Sequence, residues 1–201
     1  MNPPSVSRLV VIVFAVLGLA LMAQYTIQLP ESAGNIPITG QSLGVLLIAY
    51  LLGLRDGSLA ILLYLLLGVL GLPVYADGGS GLDALTGVSG GFLYGFLLTC
   101  LLTNAILDHT QSDHRSIFEF MTLGTVLILV FGGLHLRLFL EWGEVWIHGI
   151  EPFLPGAMIK LVLAYLVAYG VRQYVLVDRT DQVGQDIAGT TPVSTSSAEE
   201  E

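Results

Sequence analysis

Six apolar segments make up most of this chain and limit it to few fold classes. They run over residues 9–29, 39–54, 58–74, 88–107, 120–140 and 153–177. A helix needs about 20 apolar residues to cross the hydrocarbon core of a bilayer. Apolar residues are 54% of the chain and charged residues 11%, whereas soluble domains carry about 25% charged residues. Because a soluble core could not bury this much apolar surface, we predict an all-α membrane protein with six transmembrane helices.

The positive charges predict the orientation of these helices. Five of the seven Lys and Arg residues fall at helix ends or loops on one side of a six-helix arrangement: Arg8, Arg55, Arg115, Arg172 and Arg179. The positive-inside rule assigns that side, and with it both termini, to the cytoplasm. Residues 178–201 are polar, acidic and poor in aromatics. We therefore predict a membrane domain over 1–177 and a disordered acidic cytoplasmic tail over 178–201.

Several classes of function find no support in the composition. The net charge of −9 comes largely from the C-terminal tail and gives no reason to expect nucleic-acid binding. The one cysteine, Cys100, cannot form an intrachain disulfide or a cysteine metal site. The GxxxxGK[ST] loop that cradles ATP phosphates is missing. We expect a protein of the prokaryotic inner membrane with no catalytic residues, metal or cofactor of its own.

Lys160 is the most unusual residue of the sixth segment, which is otherwise uncharged up to Val171. A lysine at a bilayer centre costs at least about 2.5 kcal/mol on insertion scales, so the side chain is expected to meet a ligand or a partner. A purely structural pair with Glu151 or Asp77 is the alternative. Among other polar residues, Arg137 is expected to pair with Glu141 or Glu144, and His135 to be a hydrogen-bonded helix residue.

Three stretches rich in Gly, Pro or polar residues interrupt the apolar pattern on the side opposite the five arginines assigned to the cytoplasm. They are residues 36–41, 68–81 and 152–160. Glycine lets the backbone approach a ligand closely, and irregular backbone at membrane depth is tolerated only where protein or a cavity surrounds it. We predict a pocket near the outer face, closed by the loop 75–86 with its glycines as hinges.

Four strings carry a resemblance to a known family. They are IPITGQSLGVLLIAYLLG (36–53), YLLLGVLGLPVYADGGSG (64–81), GVSGGFLYGF (87–96) and PFLPGAMIK (152–160). In order and spacing they resemble BioY, the biotin-specific S component of energy-coupling factor (ECF) vitamin transporters. The resemblance implies the six-helix S-component fold and capture of biotin from outside. It also implies assembly with a membrane T component and two ATPase subunits, which hydrolyse the ATP.

The chain departs from the family where the ligand is expected. The family pattern PGDxxK has an aspartate at the position of Ala157, and that acid and the lysine face the ureido ring of biotin in the family. Only the lysine carries over, as Lys160. An unmet buried N–H costs about 1–3 kcal/mol, so another acceptor is needed, with Gln41, Ser89 and Asp77 as candidates. Lys160 also lacks its family counter-ion, so a ligand carboxylate is a candidate partner. Another small anionic ligand is the alternative to biotin.

The residues predicted to bind the substrate come from all three irregular stretches and from the start of the fourth segment. They are Lys160, Gln41, Ala157, Gly78, Gly79, Asp77, Tyr75, Ser89 and Phe92. Tyr75 and Phe92 are predicted either to stack on a flat ligand or simply to pack. Ala157, Ala164 and Ala168 share one helix face with Lys160; the pocket is favoured near Ala157, and helix packing at the two deeper alanines.

A different class of function is also compatible with one short motif. Residues 87–90 read GVSG, which fits the GxSG of rhomboid-type intramembrane serine proteases. Such a protease needs a histidine to activate Ser89, and that family places it in the last helix. The sixth segment has no histidine, and His135 lies in the fifth. The protease is therefore the less favoured hypothesis.

Overall fold

The computed structural model describes residues 6–27, 38–107 and 113–189, with side chains as far as Tyr174. The helices are α1 (Val6–Gln24), α2 (Gln41–Val69), α3 (Leu82–Thr86), α4 (Gly90–Ile106), α5 (His114–Leu136), α6 (Trp142–Glu144) and α7 (Leu154–Gly189). A 3-10 turn, Ala76–Gly78, follows α2; a π-helical turn, Val145–Ile150, and a 3-10 turn, Glu151–Phe153, join α6 to α7. Two short strands, β1 (Thr26–Ile27) and β2 (Ile38–Thr39), pair antiparallel.

The described residues contain four helical stretches long and apolar enough to cross a membrane. They are Val6–Gln24, Gln41–Val69, His114–Leu136 and Trp142–Tyr174. The apolar helix α4 is shorter, with 17 residues. The prediction of an all-α membrane protein is therefore confirmed.

The long element α2 reverses direction at Gly53. This glycine has φ 70° and ψ −169°, a backbone conformation that side-chain-bearing residues rarely adopt. Gln41 Nε2 donates a hydrogen bond of 2.5 Å to Tyr64 Oη, although a straight helix would separate these residues by about 35 Å. The second and third apolar segments are thus two arms folded back on each other. Gly57 lets the arms approach, because a Cβ there would lie 3.1 Å from Ile48 O.

The arms of α2 occupy the centre of the helix bundle, in contact with α1, α4, α5 and α7. The largest fully buried side chains include Tyr50, Tyr64, Tyr75 and Phe120. At the bend, Arg8 of α1 forms an ion pair with Asp56. This arrangement leaves the N-terminal end of α2, the loop after it and the beginning of α7 free to meet at one end of the bundle.

Helix α7 carries the alanine stripe as predicted. Ala164 and Ala168 are both 0% exposed, so helix packing at these two positions is confirmed. The backbone of α7 continues to Gly189 and so overlaps the first half of the predicted tail. Residues 190–201 lie outside the described residues, and the division into a membrane domain and a disordered tail stays a prediction.

Two further structural assignments from the sequence are confirmed. Arg137 Nη2 lies 3.4 Å from Glu141 Oε2, one turn along the chain. His135 is 8% exposed and is hydrogen-bonded on both sides of its ring, to Tyr94 and to the backbone of Gly87. Neither residue lines the cavity described below.

Candidate functional site

A cavity of about 160 Å³ lies where the three irregular stretches meet α4 and α5. Its lining residues are Thr39, Gln41, Ser42, Leu46, Tyr75, Ala76, Gly79, Ala84, Ser89, Phe92, Leu93, Phe96, Thr125, Ile128, Leu129, Phe153, Ala157 and Lys160. The predicted pocket is therefore present, and every irregular stretch contributes to its wall. A mostly apolar cavity with a few converging polar groups is the usual form of a small-molecule site.

Lys160 brings the one cationic side chain to this lining. Its Nζ donates a hydrogen bond of 3.1 Å to Ser42 Oγ at the start of α2. Among the described residues, no carboxylate oxygen lies within 4.0 Å of Nζ. The alternative pairing with Glu151 or Asp77 is therefore wrong. A neutral hydroxyl satisfies one donor of the ammonium group but leaves its charge without a counter-ion in the described site.

Ala157 lies one helical turn before Lys160 and also lines the cavity. The two residues share a face of α7 because they are three positions apart. A carboxylate at 157 would thus stand beside the ammonium group, as the family pattern has it. In this chain a methyl group fills that place, which leaves both an uncompensated cation and a missing acceptor.

Gln41 is a lining residue with its amide held in one orientation. Its Oε1 accepts a hydrogen bond of 2.8 Å from the Thr39 hydroxyl, and its Nε2 donates one of 2.5 Å to Tyr64 Oη. The residue is 4% exposed. Because a carbonyl oxygen has two lone pairs, Oε1 retains the capacity to accept from one more donor.

The aromatic wall of the cavity is built by packing between side chains. The rings of Phe92 and Phe153 stack with centroids 5.6 Å apart and planes 23° apart. Phe92 needs a glycine behind it, since a Cβ at Gly132 would lie 2.2 Å from Phe92 Cε1. Tyr75 packs against Gly68 in the same way and donates a hydrogen bond of 2.6 Å to Leu65 O. Tyr75 and Phe92 therefore pack against neighbouring residues and also line the cavity; stacking on a ligand stays a prediction.

Seven of the nine predicted site residues come together in the lining, and Asp77 and Gly78 do not. Both have left-handed backbone, with φ of 54° and 70°. The turn directs the Asp77 carboxylate to the Thr26 hydroxyl, from which it accepts a hydrogen bond. Asp77 therefore ties the loop to β1 and lies away from the cavity where we expected an acceptor.

Sequence reasoning missed several lining residues, notably Thr39, Ser42, Thr125 and Phe153. Three of them lie inside strings already singled out: Thr39 and Ser42 on either side of Gln41, and Phe153 one helical turn before Ala157. Their polar or aromatic character close to a predicted site residue was a usable signal. The contact between Ser42 and Lys160 joins residues 118 positions apart. No local pattern reveals a pairing of that range.

The geometry around Ser89 does not match a serine protease. His135 Nε2 donates a hydrogen bond of 2.9 Å to Gly87 O, because a carbonyl oxygen can only accept. The other ring nitrogen, Nδ1, then accepts one of 2.7 Å from the Tyr94 hydroxyl. With both nitrogens engaged, His135 has none left to receive a proton from Ser89.

Comparison with known proteins agrees with this geometry. The model of the BioY family matches residues 1–176. The chain belongs to the BioY family. The biotin transporter BioY2 of Lactococcus lactis subsp. cremoris is 38% identical over 149 residues, which cover 73% of this chain and 81% of the relative. The biotin transporter BioY of Rhizobium etli is 36% identical over 153 residues, covering 71% and 82%. Like its family, the chain is a multi-pass protein of the prokaryotic cell membrane.

A solved structure resembles this chain in its fold. It is the crystal structure of the S-component for biotin from an ECF-type ABC transporter, with a TM-score of 0.73 and 22% sequence identity. The match covers 84% of this chain and 92% of the solved chain. The helices described above therefore form the fold of a BioY-family S component.

Proposed function

We propose that this chain is the biotin-binding S component of an ECF-type vitamin transporter. The observation that carries the proposal is Lys160, an ammonium group at the cavity with only the Ser42 hydroxyl as its partner among the described residues. A ligand carboxylate supplies the missing counter-ion. A charge-assisted hydrogen bond of this kind contributes about 1.5–3 kcal/mol.

The remaining polar groups of the lining suit the other end of biotin. The ureido N–H groups need acceptors once they leave water. Gln41 Oε1 and Ser89 Oγ are the acceptors we assign to them, since Asp77 lies outside the lining. The stacked pair of Phe92 and Phe153 offers an apolar wall to the fused rings between the two polar ends.

Another small anionic ligand is the second candidate, and Ala157 is the observation that favours it. The family aspartate that meets the ureido ring is replaced there by a methyl group. The cavity still selects for a negative charge at Lys160. The two candidates therefore share the carboxylate and differ in the acceptors that the rest of the molecule requires.

The transport cycle in this proposal divides the work between subunits. This chain crosses the membrane six times, through α1, the two arms of α2, α4, α5 and α7, with both termini in the cytoplasm. It captures the ligand from outside without covalent chemistry, cofactor or metal. A T component and two ATPase subunits couple ATP hydrolysis to inward release, and the loop 75–86 closes over the bound ligand.

Equilibrium binding of radiolabelled biotin to the purified protein tests the proposal. We expect saturable binding below micromolar concentrations, and weak competition by biotin methyl ester, which lacks the carboxylate charge. If no saturable binding is detected up to micromolar concentrations, biotin is excluded as the ligand, and the S-component fold still stands. Mass spectrometry of small molecules that co-purify with the protein then identifies the other ligand.

The substitution Ala157→Asp separates the two candidates. It restores the family acid beside Lys160, so biotin can bind with its ureido ring at the Asp–Lys pair, the orientation that the family pattern implies, and the valerate carboxylate no longer needs the ammonium group. Biotin binding should then be kept or tightened while discrimination against the methyl ester decreases. Ala157→Asn is the matched control, because it has the same size without the charge. If Ala157→Asp abolishes binding of the native ligand and gains no affinity for biotin, the anionic alternative is favoured.

A further inference from the structure

Tyr64 joins two walls of the cavity from behind. It is 0% exposed and does not belong to the lining. Its hydroxyl accepts the hydrogen bond of 2.5 Å from Gln41 Nε2 and donates one of 2.9 Å to Val74 O. One side of this bridge is the wall at the start of α2, and the other is the loop that follows α2.

The Val74 end of the bridge leads directly into the cavity-lining part of the loop. Tyr75, the next residue, packs edge-on against the Tyr64 ring with centroids 5.6 Å apart. The Tyr75 N–H donates to Gly79 O at 3.0 Å, and the Gly79 N–H donates to Ala76 O at 2.9 Å. Tyr75, Ala76 and Gly79 all line the cavity. Tyr64 therefore supports the segment that forms this wall.

The two hydrogen bonds of the bridge, from Gln41 to Tyr64 and from Tyr64 to Val74, run in one direction along the chain of donors and acceptors. The Val74 carbonyl can only accept, so the Tyr64 proton points to it, and a Tyr64 lone pair remains for the Gln41 N–H. A donor on the ligand that bonds to Gln41 Oε1 polarises the whole amide. Hydrogen bonds in such a chain strengthen one another, so ligand contact at Gln41 tightens the hold of Tyr64 on Val74.

We propose that Tyr64 is a positioning residue that couples ligand contact at Gln41 to closure of the segment 73–81. The inference rests on the proposed function for its ligand, but the bridge itself is a property of the ligand-free protein. Loss of the Tyr64 hydroxyl leaves the ring packing intact and removes both hydrogen bonds at once. The segment then opens more often, and the bound ligand leaves faster.

Hydrogen exchange on the intact protein tests the structural half of this proposal without any ligand. In Tyr64→Phe we expect the amides of Tyr75 and Gly79 to exchange about tenfold faster than in the wild type, since the local opening loses the two hydrogen bonds. Tyr94→Phe is the matched control, because it removes a partly buried tyrosine hydroxyl, bonded to His135, that does not belong to this bridge. Equal exchange in the two variants would overturn the proposal.

Biotin binding tests the functional half. We expect Tyr64→Phe to raise the dissociation rate about tenfold and Tyr94→Phe to leave it unchanged. Gln41→Met breaks the same bridge from its other end, so combining it with Tyr64→Phe should weaken binding no further than the stronger single variant. Independent, additive effects contradict the coupling. If Tyr64→Phe does not fold, Gln41→Met alone must still accelerate exchange at Tyr75 and Gly79, and failure to do so refutes the bridge.

The two proposals fail in different ways. A wild-type protein that does not bind biotin contradicts the proposed function, and the exchange comparison still decides the role of Tyr64. A wild-type protein that binds biotin, with Tyr64→Phe identical to Tyr94→Phe in exchange and dissociation, contradicts only the role of Tyr64.

Discussion

Replacing Lys160 with methionine should weaken ligand binding without lowering the stability of the ligand-free protein. Methionine is unbranched and similar in length to the lysine stem, so the apolar contacts of the stem are largely kept. What disappears is the ammonium group with its hydrogen bond to Ser42. Stability and affinity respond differently because the counter-ion arrives only with the ligand.

The expected loss of affinity follows from the single interaction removed. A hydrogen bond between an ammonium and a carboxylate contributes about 1.5–3 kcal/mol, which is about 10- to 150-fold in Kd. The ligand-free protein carries instead the cost of a lysine within a spanning helix, at least about 2.5 kcal/mol at a bilayer centre. Its thermal midpoint should therefore stay the same or rise in Lys160→Met.

The assay compares biotin with its methyl ester on both proteins. Wild-type protein should prefer biotin, whereas Lys160→Met should bind the acid and the ester about equally, because the preference arises at the ammonium group. Arg137→Met is the matched control: it removes one positive charge near the membrane, from a residue that pairs with Glu141 and does not line the cavity. This control should retain the full preference for biotin.

Two results would refute the reasoning. If Lys160→Met captures biotin as well as the wild type, the ammonium group does not hold the ligand. If it loses affinity for acid and ester alike and unfolds at a lower temperature, Lys160 has a structural role in the fold. Both results leave membership of the BioY family intact.

Three further predictions test other parts of the structure. Gly68→Ala should lower the free energy of unfolding by about 1–3 kcal/mol, because overpacking displaces the tyrosine ring that lies 2.1 Å from the added Cβ; an unchanged thermal midpoint would contradict this packing. Fluorophosphonate should not label Ser89, since both nitrogens of His135 are engaged; labelling that Ser89→Ala abolishes would revive the protease hypothesis. Ala168→Leu should cost about 1–3 kcal/mol, whereas Val167→Leu, at a residue 44% exposed, should cost less than 0.5 kcal/mol; similar melting of the two variants would contradict the assigned face of α7.

The membrane character of the chain follows from composition and the spacing of charges. The apolar segments predict helices because a spanning backbone must satisfy its own hydrogen bonds. Lys160 and Ala157 were recognisable for the same reason: each is conspicuous against its local pattern, one as a charge in an apolar run and one as a methyl group in a family motif. Such features can be recognised by comparing a residue with its neighbours in the sequence.

The loop after α2 shows where that reasoning stops. Asp77 and Gly78 lie in a stretch correctly predicted to form the pocket, yet neither lines the cavity. Left-handed backbone at both residues turns the Asp77 carboxylate toward Thr26, 51 positions earlier. Side-chain direction in such a turn depends on backbone angles that residue type alone does not specify.

The amino-acid sequence determined the class of protein, its family and the positions at which the apolar pattern is broken, because hydropathy and motifs are local properties. Only the tertiary structure decided what those positions meet: a serine 118 residues away for Lys160, a second phenylalanine for Phe92, and a buried tyrosine behind Gln41. These contacts depend on how the arms of α2 fold back at Gly53 and pack against α7. Residues far apart in the sequence become neighbours only when the whole helix bundle packs, and the local sequence does not specify that packing.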